Sequence, residues 1–181
     1  MTVKTSFGAV VDARARLLVL GSLPGERSLA LAQYYAHPSN RFWELIGAVV
    51  DRDLRALAYP ERLVALGDAG VGLWDTVGSA RRAGSLDSAI RHPAANDLAG
   101  LVATLPLLRA VAFNGGTAAK IGRAQLPGSA LAMVDLPSSS AANAGQGFAA
   151  KQARWLELRA FLDAKPGCSA PAPSSSSRYR A

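Results

Sequence analysis

Leu17-Leu18-Val19-Leu20-Gly21-Ser22-Leu23-Pro24-Gly25 is the stretch that decides the fold. Four aliphatic residues in a row run into a turn built from two glycines and a proline. A short run that is apolar at every position, and not at every second one, suits a strand buried on both faces of a parallel sheet. Three further runs repeat the design: residues 71–74 before Asp75, 110–113 before Asn114 and 131–136 before Pro137. Helical patterns lie between them. Phe42, Leu45, Ile46, Val49 and Val50 share a helical spacing, with Pro38-Ser39 just upstream as a start signal. Pro60 opens a helix through Leu63 and Leu66 to Gly67. Residues 117–124 form a short helix after Gly115-Gly116, and Phe148, Trp155, Leu158 and Leu162 mark a last one. Strands alternating with helices predict an α/β fold with a parallel central sheet.

In such sheets ligands bind beyond the carboxyl ends of the strands. Each predicted strand here ends in a chemically distinctive loop: GSLPGERS, DTVGSARR, NGGTAAK and PSSSAANAG. The four loops are expected to converge on one site.

The chain has 181 residues, half of them apolar or aromatic, which suits one domain over residues 1–164. Net charge is +7 and the isoelectric point is near 10.2. Residues 165–181 carry three basic residues and no acid. Their Pro/Ser-rich composition, APAPSSSSRYRA, predicts a disordered basic tail. The body is only weakly basic, a balance that serves an ordinary solvated surface as well as an anionic partner such as nucleic acid. Cys168 is the sole cysteine, so a disulfide within the chain and a four-cysteine cluster are excluded. His37 and His92 have no companions at metal-ligand spacing, and neither a metal nor a cofactor is expected. The first residues lack a signal-peptide pattern and no apolar run approaches ~20 residues. The expectation is a soluble cytoplasmic chain without membrane attachment.

Tyr34-Tyr35-Ala36-His37-Pro38-Ser39-Asn40-Arg41-Phe42-Trp43 gathers an imidazole, an amide, a guanidinium and four aromatic rings. Phe42 and Trp43 read as core. Tyr34 and Tyr35, before a proline turn, read as partly exposed rings, and a ring stacked on a nucleobase contributes roughly 1–3 kcal/mol. Asn40 reads either as the cap of the following helix or as an amide holding a planar ligand. The GSLPGERS turn is either an ordinary connection or a set of backbone donors for a base edge or phosphate. Serines in LPSSSAANAG serve a turn or a phosphate equally well. Asn114 and Asp75 stand at strand ends, where ligand contact is expected. His92-Pro93-Ala94-Ala95-Asn96-Asp97 reads as a structural loop with a capping Asn or Asp.

Taken in order, GSLPGERSL, QYYAHPSNRFW, GLWD, SLDSAI, AFNGG and LPSSSAANA resemble the hypoxanthine-DNA glycosylase (DNA-deoxyinosine glycosylase) branch of the uracil-DNA glycosylase superfamily. The resemblance spans about residues 17–155. It implies a three-layer α/β/α sandwich around a four-stranded, mainly parallel sheet. It also implies hydrolysis of the N-glycosidic bond of a deaminated base in double-stranded or single-stranded DNA, by a monomer without a cofactor. The mismatch-specific branch carries a catalytic Asn in its GINPG turn, where this chain has Leu23. The branch resembled here places its catalytic Asn in the HPxNxFW run, at Asn40, and its strand-end Asn, at Asn114, is expected to share the catalytic role. By the same resemblance Tyr35 stacks on the base. On chemical grounds Asn114, Asp75 and the Ser22, Leu23 and Gly25 turn are expected to read its edge, and His37 to add a donor. Ser138, Ser139 and Ser140 grip phosphates while Ala141 and Asn143 approach the vacated gap. The chain departs from the family's LPSTSPANA in having LPSSSAANA. Other readings are a uracil-DNA glycosylase of broader specificity, a non-catalytic binder of damaged or single-stranded DNA, and a small-molecule-binding α/β protein.

Overall fold

A computed structural model describes residues 2–143 and 145–163. The basic tail expected over residues 165–181 lies outside them. The four apolar runs form β2 (Leu17–Gly21), β3 (Val71–Asp75), β6 (Ala110–Asn114) and β7 (Ala132–Leu136), all parallel, in the order β3-β2-β6-β7. Alternation along each strand divides the core. Leu17 and Val19 point, with Leu73 and Ala112, into a cluster holding Phe42, Leu45, Ile46, Leu66 and Trp155. Leu18 and Leu20 point, with Val111 and Phe113, to Leu98, Leu105 and Ala118 on the other side. A strand needs apolar residues at consecutive positions only when both its faces are covered, and here both are.

The first face is covered by α2 (Phe42–Val49), α3 (Tyr59–Asp68) and α6 (Phe148–Leu156), the second by α4 (Leu98–Ala103) and α5 (Gly116–Gln125). A short α1 (Glu26–Leu31) follows the GSLPG turn. The expected last helix is broken: α6 stops at Leu156 and α7 (Arg159–Leu162) follows. Gly122 on α5 marks a close approach to the sheet. A Cβ added there would lie 2.3 Å from the Phe113 ring and 3.1 Å from the Thr76 methyl. Gly122→Ala is therefore expected to lose about 1–3 kcal/mol by overpacking, despite its better helix propensity, and urea unfolding measures it.

A second sheet went unread in the sequence. β1 (Thr2–Thr5), β4 (Val77–Arg82) and β5 (Arg91–Ala95) form an antiparallel sheet in the order β1-β4-β5. The segment read as a loop at His92 is thus a strand. Its exposed residues carry no apolar alternation to reveal it. Asp97 does cap α4, accepting from Gly100 N at 2.8 Å. Asn96 instead ties the two sheets together, donating from Nδ2 to Asp75 O at 2.8 Å and Ser6 Oγ at 3.1 Å. The chain crosses between sheets at Asp75-Thr76, so β4 and the turn after it stand beside the carboxyl ends of the parallel strands. No described helix is long and apolar enough to cross a membrane.

Candidate functional site

The four strand-end loops converge on one cavity of about 530 Å³, within the roughly 300–1,000 Å³ typical of ligand sites. Every sequence-predicted site residue lines it: Ser22, Leu23, Gly25, Tyr35, His37, Asn40, Asp75, Asn114, Ser138, Ser139, Ser140, Ala141 and Asn143. Asp87 and its neighbours Ser85, Leu86 and Ser88 also line it, arriving from the second sheet. Asp87 sits in the SLDSAI motif, yet no spacing or periodicity marks it as a pocket residue.

Asp75 ends β3 opposite Gly21 of β2 and is 3% exposed. A Cβ at Gly21 would lie 2.6 Å from Asp75 Oδ1 and 3.0 Å from the Tyr35 hydroxyl. Only glycine lets both groups approach that point. Asp75 Oδ2 and the Tyr35 hydroxyl are buried without a hydrogen-bond partner among the described residues. Burial lifts the Asp75 carboxyl to about 7. The Asp87 carboxylate adds to the rise and the Arg82 guanidinium opposes it. Burial also pushes the Tyr35 phenol up, with Asp75 contributing, so the phenol keeps its proton. Unsatisfied buried polar atoms are uncommon and call for a reason. A perturbed carboxyl in a cleft is the pattern of a functional group.

Tyr35 reaches the floor through its backbone. The neighbouring Tyr34 is not partly exposed, as expected, but 3% exposed. It is pinned by Tyr34 N to the Tyr59 hydroxyl at 2.9 Å and its own hydroxyl to Gly8 O at 3.2 Å. Tyr35 then adopts a left-handed φ of +54°, a rare conformation for a bulky residue, which turns its ring inward. One face stacks on Phe42 with centroids 3.6 Å apart, leaving the opposite face for the cavity. Phe42 is core, as read, and also holds the tyrosine ring in place.

Asn40 is tied to the start of the following helix. Its Oδ1 accepts from Phe42 N at 3.0 Å at the start of α2. Because a backbone N–H needs an acceptor, this fixes the amide orientation and leaves Nδ2 without a partner among the described residues. His37 Nδ1 accepts from Ser39 N at 3.2 Å, so the neutral ring carries its proton on Nε2.

Two of the residues expected to contact ligand are also bonded to each other. Asn114 and Ser139 clasp each other, Nδ2 to Ser139 Oγ and Ser139 N to Oδ1, both at 2.8 Å. Ser139 is 1% exposed, so its hydroxyl holds the Asn114 amide and does not face solvent as a phosphate contact would. Asn114 keeps one proton and one lone pair. Lys151 Nζ completes the brace, donating to Ser138 O at 2.9 Å and Asn143 O at 2.7 Å. Ser138 and Ser140 remain on the cavity wall. The Leu23 side chain packs with Val77, Ala80, Ile90 and Ile121, so it is the Leu23 backbone that serves the cavity. Leu23 N and Gly25 N donate to nothing within the described chain. Fully buried Arg82 anchors the turn from behind, donating to Leu23 O at 3.0 Å and to Pro24 O. Ser22 Oγ donates to Asp87 Oδ1 at 2.6 Å. The floor therefore offers an acceptor carboxyl beside donor amides, with an aromatic face above. Among the described residues no group of three or more His, Cys, Asp or Glu side chains is placed to hold a metal ion.

The sequence profile of the uracil DNA glycosylase superfamily matches residues 7–159. A Methanosarcina acetivorans protein named hypoxanthine DNA glycosylase is 40% identical over 141 residues, covering 78% of this chain and 89% of that protein. A Methanosarcina barkeri protein of the same name is 40% identical over 112 residues, covering 62% and 71%. A solution NMR structure of a candidate uracil DNA glycosylase from Methanosarcina acetivorans superposes with a TM-score of 0.80 at 36% identity. It covers 89% of this chain and 99% of that one.

Proposed function

This chain belongs to the uracil DNA glycosylase superfamily, and from that premise we propose that it excises hypoxanthine from DNA by flipping deoxyinosine into the cavity described above. It is a DNA glycosylase, and the relatives named hypoxanthine DNA glycosylase support the choice of base. The observation that carries the reading is the unpartnered, buried Asp75 carboxyl beside the Tyr35 hydroxyl. Hypoxanthine presents an N1–H donor next to its O6 acceptor. Ionised Asp75 accepts that proton, and the free Leu23 and Gly25 amides supply donors for the carbonyl. Adenine has no proton at N1 and is refused by a carboxylate. Tyr35 stacks on the extruded base.

In the reaction the bond from C1′ to N9 breaks, its electron pair leaves with the base, a water oxygen adds to C1′, and the proton that water gives up ends on the departing hypoxanthine anion, leaving an abasic site and the free base. An amide is too weak a base to drive this. Asn40 acts by position, holding the water through the free lone pair of Oδ1 and the protons of Nδ2. His37 Nε2 faces the departing base as a donor. Ser138 and Ser140 contact phosphates of duplex DNA, which the protein meets as a monomer in the cytoplasm.

Asp75→Asn tests the base-reading role. Replacing a charged hydrogen-bond acceptor costs about 1.5–3 kcal/mol, so inosine excision falls roughly 10- to 100-fold. Wild-type excision rises with pH through about 7 as Asp75 ionises, and the variant loses that limb. Stability moves the other way. The folded carboxyl holds its proton to a higher pH than the unfolded one, so the folded state binds more protons between about 4 and 7. Stability therefore falls as pH rises across that window, and the Asn variant is the more stable protein above it. Rates on inosine oligonucleotides, read as alkali-labile abasic sites, check the first expectation and thermal unfolding across pH the second. A full-strength pH limb in the Asn variant overturns the role.

A further inference from the structure

Besides the His37 imidazole, the ionisable side chains lining the cavity among the described residues are Asp75, Asp87, Arg27 and the two tyrosines. Arg27 is exposed on α1, so the enclosed part of the cavity holds two carboxyls. Hypoxanthine uses one of them. Asp75 accepts its N1–H, and the Leu23 and Gly25 amides serve O6. Nothing on that base calls for Asp87, because C2 carries only a hydrogen and the remaining ring nitrogens are acceptors like the carboxylate itself.

Asp87 is nevertheless held in place. It begins the short turn Asp87–Ala89 after β4, and its Oδ1 accepts from Ser22 Oγ at 2.6 Å. Ser22 directly follows Gly21, where an added Cβ would lie 2.6 Å from Asp75 Oδ1. The two carboxyls thus meet neighbouring residues at one strand end. Arg82 is the cation behind them, but its guanidinium is taken up by Leu23 O and Pro24 O. Burial lifts the Asp87 carboxyl above the usual carboxylate range, and the Asp87 charge in turn lifts Asp75. Holding two such charges out of water is costly, and Asp75 Oδ2 and the Tyr35 hydroxyl still lack partners. A neutral base leaves that cost standing. A base with a positive charge removes it, because an opposite charge favours the ionised form of both carboxyls. The open face of the Tyr35 ring adds a cation–π attraction.

We propose that the cavity also takes a cationic purine, an N7-alkylated guanine, and excises it, with Asp87 as the group that selects for its charge. Such a base keeps an N1–H for Asp75, adds a 2-amino donor for a second carboxylate and spreads its positive charge over the ring that Tyr35 covers. The bond from C1′ to N9 breaks and its electron pair neutralises the cationic ring. A water oxygen adds to C1′, and the proton that water gives up passes to solvent. No proton has to reach the departing base. The inference rests on the glycosylase reading above and extends the same site to a second class of substrate.

The test follows wild type, Asp87→Asn and Ser22→Ala on duplexes with inosine, N7-methylguanine or guanine at one position opposite cytosine. Released base is measured by chromatography, because alkali attacks N7-methylguanine unaided. Wild type is expected to free N7-methylguanine roughly tenfold or more faster than its spontaneous loss, and to leave guanine in place. Asp87→Asn keeps the acceptor for Ser22 and drops the charge, so the rate on N7-methylguanine relative to inosine falls by roughly tenfold or more. Ser22→Ala breaks the same tie but keeps the charge, and holds the wild-type ratio. Wild-type protein that frees hypoxanthine, but N7-methylguanine only at the spontaneous rate, overturns the proposal. Guanine freed as fast as N7-methylguanine overturns it too, because the edge and not the charge is then read. So does an unchanged ratio in Asp87→Asn, or an equal fall in Ser22→Ala. A wild-type protein that frees no hypoxanthine brings down the glycosylase reading itself.

Discussion

Asn40→Ala loses base excision by about 10²–10³-fold while binding inosine-containing DNA as wild type does. The magnitude follows from removing one pre-positioned polar group from a site whose catalysis is positional and electrostatic. Binding survives because phosphate contacts, which do not involve Asn40, supply most of the affinity for DNA. The same side chain accepts from Phe42 N, the first N–H of α2, so the alanine variant also loses about 1 kcal/mol of stability. Asn40→Asp separates the two roles. It keeps the acceptor for Phe42 N and removes the Nδ2 donors, so it is expected to hold the fold and still fail to excise. Single-turnover rates with gel-shift affinities make the comparison. Wild-type turnover in Asn40→Ala removes Asn40 from the mechanism.

Arg82→Met is the substitution expected to cost the fold most. Arg82 is fully buried on β4 and donates to the carbonyls of Leu23 and Pro24. A methionine has similar bulk but leaves both carbonyls without donors, at about 1–3 kcal/mol each. It also removes the cation that offsets the Asp75 and Asp87 carboxylates. The combined loss of about 3–5 kcal/mol is a large part of the roughly 5–15 kcal/mol that holds a domain folded. With the guanidinium gone, the Asp75 carboxyl rises further above about 7, so the alkaline-favoured limb of excision moves to higher pH. Arg82→Lys keeps a charge but not the fork that reaches two carbonyls, and falls between the two. Urea unfolding and the pH dependence of excision are independent readouts. An unmoved pH limb in the Met variant means that Arg82 serves the turn alone.

The parallel sheet was legible because its central strands, β2 and β6, are buried on both sides, a condition that writes itself into consecutive residues such as Leu17-Leu18-Val19-Leu20. The antiparallel sheet was not. β5 is exposed along its whole length, so it carries no burial pattern, and its register comes from pairing with β4. The misreading of Tyr34 has a similar cause. Both tyrosines precede the same proline turn, and the left-handed backbone at Tyr35 sends the two rings in different directions.

At the site, the sequence named just over half of the residues of the cavity wall, because strand-end loops in a parallel sheet must share one edge. Residue type and order were enough to bring Asn40, Asp75, Asn114 and the GSLPG turn together. What each group is free to do came only from the tertiary structure. Asn114 and Ser139 occupy one another, Arg82 braces a turn 58 residues before it, and Asp87 reaches in from the second sheet to join Asp75. Each depends on contacts between residues distant along the chain, which local pattern does not record. Sequence alone therefore determined the family, the parallel sheet and the strand-end loops that form the pocket. The fold decided which of those residues remain unpartnered, and an unpartnered group in a dry pocket is the one left to bind.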